Sequence, residues 1–283
     1  MLLQDNRNRT MFTLNCKGRL LIINEPIIMG ILNATPDSFY SNSRKTSIDE
    51  ALRLVEQMLT EGATIIDIGG QSTRPGSQQI NNTEELNRVL PIISSIKAHF
   101  PEAYISVDTY HSPIAREAVQ AGADIINDIS GGTLDAAMIS TVASLQVPYV
   151  CMHLKGNIET MHAHFAYENV TREVLDFFIQ QTEQCRLAGI HDVIIDPGFG
   201  FSKSIADNYK LLKELSTFQL LEKPILLGIS RKSMIWKALH ITPHEALNGT
   251  TVLHTLGLLN GATILRAHDV KEAAECIKLL QAY

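Results

Sequence analysis

The chain is short of the features that mark several protein classes. It has four cysteines in 283 residues, Cys16, Cys151, Cys185 and Cys276, and none stands in a CxxC pair. Scattered thiols make neither a disulfide framework nor a zinc ribbon, and they read as reduced residues of a cytoplasmic enzyme. Cationic residues are not in excess: 24 Lys and Arg against 30 Asp and Glu leave a net charge of −6. That argues against a general nucleic-acid surface, which demands a basic face. No stretch approaches the roughly 20 apolar residues of a membrane span, and the opening MLLQDNRNRT holds no signal-like apolar run. Low-complexity linkers and charge blocks are also missing, so composition marks no internal boundary. What the chain does have is apolar material, 45% of its residues. That suffices for one substantial core, and by size the chain is one α/β barrel or two ordinary domains.

A pattern recurs along it. Short apolar runs end in polar or glycine residues, and a helix-like segment follows each. The runs are PIIMGIL (26–32), TIIDIGG (64–70), YISVDT (104–109), DIINDISGG (124–132), PYVCMH (148–153), VIIDPG (193–198), PILLGIS (224–230) and TILRAHD (263–269). Each is too short for a core helix and rich in isoleucine and valine, the signature of parallel strands buried on both faces. The segments between them, 48–61, 84–100, 113–121, 135–145, 167–188, 208–215, 244–260 and 270–282, carry apolar residues at helical spacing. Eight strand–helix units close a (β/α)8 TIM barrel. The competing open, doubly wound sheet usually has fewer strands and a second domain. Before the first unit, MFTLNCKGRLLII suggests two short strands around Lys17 and Gly18. The expected division is therefore an N-terminal hairpin extension, 1–25, covering the N-terminal end of a barrel, 26–283.

In such barrels the C-terminal strand ends carry the site. Here they hold Asn33, Thr73 and Arg74, Asp108, Asn127, Met152 and His153, Asp196, Ser230 with Arg231 and Lys232, and Arg266 with His268. Any single Asp, Asn or Ser among them could cap a helix or brace a turn. Arg74, Lys232 and Arg266 could not, because the dipole at a helix start repels cations. The cations imply an anionic substrate or leaving group. The acceptors imply a ligand rich in N–H donors: Asp196 and Asp108, with the Asn127 amide, suit the edge of a 2-aminopyrimidinone ring. Cys151 and His153 read as buried strand residues rather than a zinc fragment, since no further ligand is spaced nearby.

DPGFGFSKS (196–204) looks at first like a phosphate cradle. A Walker-type loop needs a glycine directly before its lysine, however, and Ser202 occupies that place. Asp196 is then the functional member. Gly198 and Gly200 let the chain turn close to a ligand, Phe201 walls the site, and Lys203 is read as solvated.

Taken together, MGILNATPDSF, GGQSTRPG, SVDT, IINDISGG, MH, DPGFGFSKS, GISRKS and LRAHD resemble, in order and spacing, the motifs of the dihydropteroate synthase family. The resemblance implies a (β/α)8 barrel, usually a homodimer. The implied reaction joins 6-hydroxymethyl-7,8-dihydropterin diphosphate to 4-aminobenzoate with the help of Mg2+, giving 7,8-dihydropteroate and diphosphate. It also implies roles. Thr73, Asp108, Asn127, Asp196 and Lys232 fall in the pterin pocket, and Arg266, Ala267 and His268 hold the pterin diphosphate. Arg74, Pro75, Phe201, Ser230 and Lys232 line the aminobenzoate side, and Asn33 is the metal residue. Asp37, on a loop that closes over the reacting centre, joins Arg266, His268 and Lys232 as catalytic. Two departures from the family stand out. DSFYSNS places Asn42 and Ser43 where a glycine pair is usual, and Ala267 replaces a usual valine, a change expected to be silent. Two other functions share this barrel: a pterin-binding methyltransferase domain, and a pterin-binding module without activity. The Arg74–Pro75 pair and the SRKS segment speak against the first. A Schiff-base aldolase using Lys232 is a further barrel option. The expected partners are small molecules only, with no nucleic acid and no membrane.

Overall fold

The computed structural model describes residues 11–34, 44–71, 77, 79–163 and 165–283. Asp37, Thr73, Arg74, Pro75 and the altered first loop lie outside them.

Two antiparallel strands, β1 (Phe12–Cys16) and β2 (Arg19–Ile23), form the expected hairpin. Eight parallel strands follow: β3 (Ile27–Asn33), β4 (Ile65–Gly69), β5 (Tyr104–Asp108), β6 (Ile125–Asp128), β7 (Tyr149–Met152), β8 (Val193–Asp196), β9 (Leu226–Leu227) and β10 (Ile264–Ala267). Seven fall inside the apolar runs read from the sequence, and β3 runs one residue past its run, to Asn33. Their order is β8-β7-β6-β5-β4-β3-β10-β9, and a parallel bridge between Ile195 and Ile225 joins the two outer strands into a barrel. That seam is thin because β9 is two residues long and Pro224, just before it, has no N–H to donate.

The helices are α1 (Arg44–Glu61), α2 (Asn82–His99), α3 (Ser112–Ala121), α4 (Met138–Leu145), α5 (Val170–Ala188), α6 (Ile205–Lys213), α7 (Ser233–Leu239), α8 (Leu247–Leu259) and α9 (Val270–Ala282). Several start away from the expected residue, and local chemistry explains it. Asp135 stays outside α4 because its carboxylate accepts the amides of Ser112 and Ala137. Asn169 caps α5 by accepting from the Arg172 amide, and Ser204 with Asp207 makes a capping box that starts α6 at Ile205. α7 is an addition, sitting where sequence periodicity showed only a connection.

The hairpin is the floor of the barrel. Leu14, Cys16, Leu21 and Ile23 pack with Met29, Ile65, Ile125, Val150, Ile194, Leu226 and Ile264, the inward residues at the strand N-terminal ends. Arg19 fastens it. Its guanidinium donates to the carbonyls of Pro101, Glu102 and Ala103 at 3.2, 2.7 and 3.0 Å, pairs with Asp124 at 3.2 Å, and lies 3.9 Å from the centre of the Tyr104 ring. Removing such a set of bonds in Arg19→Ala should cost about 2 kcal/mol and about 4–8 °C of melting temperature. The steady-state constants should stay within about twofold, since the floor only closes a barrel whose site sits at the opposite end. A thermal melt beside an activity assay separates the two.

Candidate active site

Side chains alternate in and out along a strand, so every second residue of a barrel strand faces the axis. Starting from the floor residues Met29, Ile65, Ile125, Ile194 and Ile264, a step of two reaches Ile31, Asp67, Asn127, Asp196 and Arg266. A further step reaches Asn33, Gly69, Gly198 and His268. Polar residues scattered over the chain therefore converge on one end of the barrel, as their strand-end positions suggested.

Arg266 is the centre of one half of this end. Its Nε donates to Asp67 Oδ2 at 2.7 Å and its Nη2 to Asp108 Oδ2 at 2.6 Å. Asn127 Nδ2 donates to the same Asp67 oxygen at 3.1 Å. Asp67 is fully buried, and its Oδ1 has no hydrogen-bond partner among the described residues. Burial works against the guanidinium charge, but Asp67 and Asp108 outweigh it and raise the Arg266 pKa. Asp108 is pushed from an ordinary 3.8 to about 7, mainly by burial; Arg266 opposes the shift and Asp67 reinforces it. The cation expected to draw off a leaving group is thus already braced by two carboxylates. Asp67 was not singled out from the sequence. Its signal was a carboxylate in the inward register of an otherwise apolar strand, TIIDIGG, where an ionised group needs a partner.

The other half is built on β8, β9 and their loops. Asp196 is 4% exposed and accepts the Gly198 amide at 2.8 Å. Burial raises its pKa against the pull of Lys232, the Gly198 amide, Arg266 and Lys203. Gly228 leaves room for this carboxylate and for Lys232: a methyl group on it would lie 3.4 Å from Asp196 Oδ2 and 3.7 Å from Lys232 Nζ. Lys232 Nζ donates to the Phe199 carbonyl at 2.5 Å and sits 4.4 Å from the centre of the Phe201 ring. Burial brings its pKa down to about 8, with Asp196 and Asp108 opposing and Arg266 assisting. Phe201 joins Met152, Ile129, Tyr110, Leu154 and Met161 in an apolar cluster that flanks the polar residues.

The loop 196–204 spends its amides internally. Gly198 N serves Asp196, and Gly200 N donates to Asn208 Oδ1 at 2.7 Å. Gly198 has φ +72°, and a Cβ there would stand 2.1 Å from the His153 carbonyl, so only glycine fits. Lys203 corrects the expectation of a solvated side chain. It is 3% exposed, and its ammonium meets His153 Nδ1 at 3.0 Å, the Gly198 carbonyl at 3.0 Å and the Phe201 carbonyl at 3.3 Å.

The remaining expected residues sort as follows. His268 is exposed, and its Nδ1 lies 3.0 Å from Ser230 Oγ, which also accepts the His268 amide at 3.2 Å. Ser230, expected on the aminobenzoate side, is thus tied to the residue expected at the diphosphate. Ala267 is fully buried between barrel and helices, so it can offer a ligand only its backbone. Arg231 turns away: it chelates Asp269 through two 2.8 Å bonds and donates to the carbonyls of Pro243 and His244. His153 is buried under Phe177 and Lys203. Asn33 ends β3, half-buried, in register with Gly69, which is in turn in register with Asp108. Among the described residues no cluster of three or more His, Cys, Asp or Glu could cage a metal. Asn33 offers an amide oxygen, which suits a hard cation held chiefly by a substrate's phosphates.

Known proteins resemble this chain along nearly its whole length. The family model described as pterin binding enzyme matches residues 29–268. The dihydropteroate synthase of Escherichia coli K12 is 42% identical over 272 residues, covering 94% of both chains. Two solved structures superpose over nearly the whole chain. The Xanthomonas albilineans dihydropteroate synthase with 4-aminobenzoic acid has a TM-score of 0.89 and 38% identity, covering 96% of this chain and 98% of its own. The Yersinia pestis enzyme in complex with a sulfonamide drug has a TM-score of 0.88 at 38% identity, with the same coverage. The chain belongs to the pterin-binding enzyme family, among its dihydropteroate synthases.

Proposed function

We propose that the barrel mouth holds 6-hydroxymethyl-7,8-dihydropterin diphosphate between its two polar halves and joins it to 4-aminobenzoate. The observation that carries this reading is the facing arrangement of Asp196 with Lys232 on one side and Asp67, Arg266 and Asp108 on the other. Asp196 takes N–H bonds from the aminopyrimidinone edge of the pterin. The Asn127 amide donates to Asp67, which leaves its oxygen to accept from the ring. Met152 and Phe201 supply apolar cover for the bicycle. Lys232, largely protonated at neutral pH with its pKa near 8, donates to both substrates. Arg266 and His268 stabilise the diphosphate as its bond to the pterin methylene carbon breaks. Carbon–oxygen cleavage runs ahead of attack, because the electron-rich ring can spread the positive charge. The aromatic amine then attacks without a strong base, so positioning and electrostatics carry the rate. When bound, magnesium neutralises charge on the departing diphosphate, with Asn33 as a protein oxygen. Asp37, Thr73, Arg74 and Pro75 complete the proposed site from outside the described residues.

Residues on α8 support a homodimer: Val252, Leu256 and Leu259, spaced along one helix face, are 51%, 43% and 51% exposed. Apolar stripes of that kind mark interfaces. All four cysteines are free and buried, and no described helix is long and apolar enough to cross a membrane, which accords with a cytoplasmic setting.

The test is turnover. Purified protein with the pterin diphosphate and magnesium should release diphosphate only when 4-aminobenzoate is added. Chelation should stop it, and sulfonamides should compete with aminobenzoate. Release independent of aminobenzoate, or none at all, would reject the assignment. Tight binding of methyltetrahydrofolate without release would point to a methyltransferase domain instead.

A further inference from the structure

Lys203 has no part in the reaction as described, yet its surroundings are built with care. An ammonium has three donors, and the three atoms around it are acceptors: His153 Nδ1, the Gly198 carbonyl and the Phe201 carbonyl. For this set His153 must be neutral with Nδ1 unprotonated. Its surroundings hold it so, because burial, then Lys203 and Lys155, pull its pKa well down. The two carbonyls belong to the turn that follows Asp196. The same turn presents the Phe199 carbonyl to Lys232 Nζ and the Phe201 ring beneath it. Asn208 braces the turn from α6, and Ser202, with its amide on the Met161 carbonyl, ties it to the loop after β7. Lys203 thus joins the end of β7 to the loop after β8 from underneath, without reaching the mouth itself.

We infer that Lys203 is a positioning residue for the reaction: it sets the shape of the 198–201 turn, and its charge helps keep Asp196 ionised for the pterin. The inference rests on the proposed role of Asp196. The charged groups facing Asp196 are Lys232, Arg266 and Lys203; those facing Lys203 are Asp196, Lys232 and Asp207; Lys155 faces His153. Burial lowers the Lys203 pKa to about 7, with Asp196 and Asp207 opposing and Lys232 assisting. Below its own pKa of about 7 Lys203 is charged, and that charge pulls the Asp196 pKa down against the effect of burial. Loss of that charge moves the Asp196 pKa up, so pterin binding should fail at a higher pH.

The experiment measures the dissociation constant of the pterin diphosphate from pH 5 to 8.5 for the parent, Lys203→Met and His153→Phe, with a thermal melt for each. Parent protein that neither binds the pterin diphosphate nor turns over would reject the proposed function itself. With binding in the parent, Lys203→Met should move the acid limb of affinity up by about half a pH unit or more. It should also lower kcat by about tenfold or more at the pH optimum. His153→Phe keeps the ring packing but removes one acceptor. It should lower kcat in the same direction by less, and it gives a second reading if Lys203→Met does not fold. A folded Lys203→Met with the parent's acid limb and kcat would overturn the inference, as would a folded His153→Phe indistinguishable from the parent.

Discussion

Arg266→Met should abolish nearly all turnover and destabilise the protein in a way that worsens as pH rises. The catalytic loss should be about a thousandfold in kcat/KM, the scale seen when a preorganised charge facing a leaving group is removed. The stability loss has a separate origin. Arg266 bonds two carboxylates, one of them fully buried, and breaking a buried pair by removing one partner costs about 3–5 kcal/mol. Asp108 is already raised to about 7 in the fold. A carboxyl whose folded pKa exceeds its unfolded value binds more protons in the native state, so its contribution to stability falls as pH climbs between the two values. Methionine at 266 deletes the cation that holds this tendency back for Asp108. The melting temperature of the variant should therefore drop more steeply than the parent's between about pH 5 and pH 8. Parallel melting curves for the two proteins across that range would show that the Asp108 carboxyl does not depend on Arg266.

Asp196→Asn should separate affinity from stability. The amide offers one acceptor where the carboxylate offers two, and it points donors at a ring edge that also donates. Affinity for the pterin diphosphate should fall about a hundredfold, the equivalent of losing one or two charge-assisted bonds. Stability should not fall with it. Burial raises the Asp196 pKa, so its contribution to stability falls as pH rises above the unfolded value, and a neutral amide relieves that cost. The expected result by calorimetry is weak binding with a melting temperature equal to or above the parent's at pH 8. Pterin affinity close to the parent's would remove Asp196 from the pocket.

These variants touch residues of unequal visibility in the sequence. The strands were plain, because parallel strands covered on both faces leave continuous apolar runs, and every run but that of β3, which stopped one residue short, reached the end of its strand or passed it. Asp196 and Arg266 were visible because they close such runs. Asp67 lay inside one, where a single carboxylate looks like an interruption; only the register against Asn127 and Arg266 gives it meaning. Lys203 was misread for a related reason. A lysine beside serines normally reaches water, and the acceptor that keeps this one buried, His153, is 50 residues away. α7 escaped because its first turn abuts the SRKS segment, whose cations claimed the reading for the site. Lys232 is in fact its N-cap residue and makes no side-chain capping bond, consistent with a lysine retained for another purpose.

The hairpin under the barrel has a kinetic corollary. With Leu14, Cys16, Leu21 and Ile23 corking one end, ligands of the proposed site have to come in by the opposite doorway. Asn127 and Asp196 stand one inward step above the floor residues Ile125 and Ile194, whereas Phe201 lies in the loop beyond β8, so under the proposed function the pterin should arrive before the aminobenzoate. An aminobenzoate that lodged first would bar the way, and an excess of it should slow the enzyme rather than saturate it.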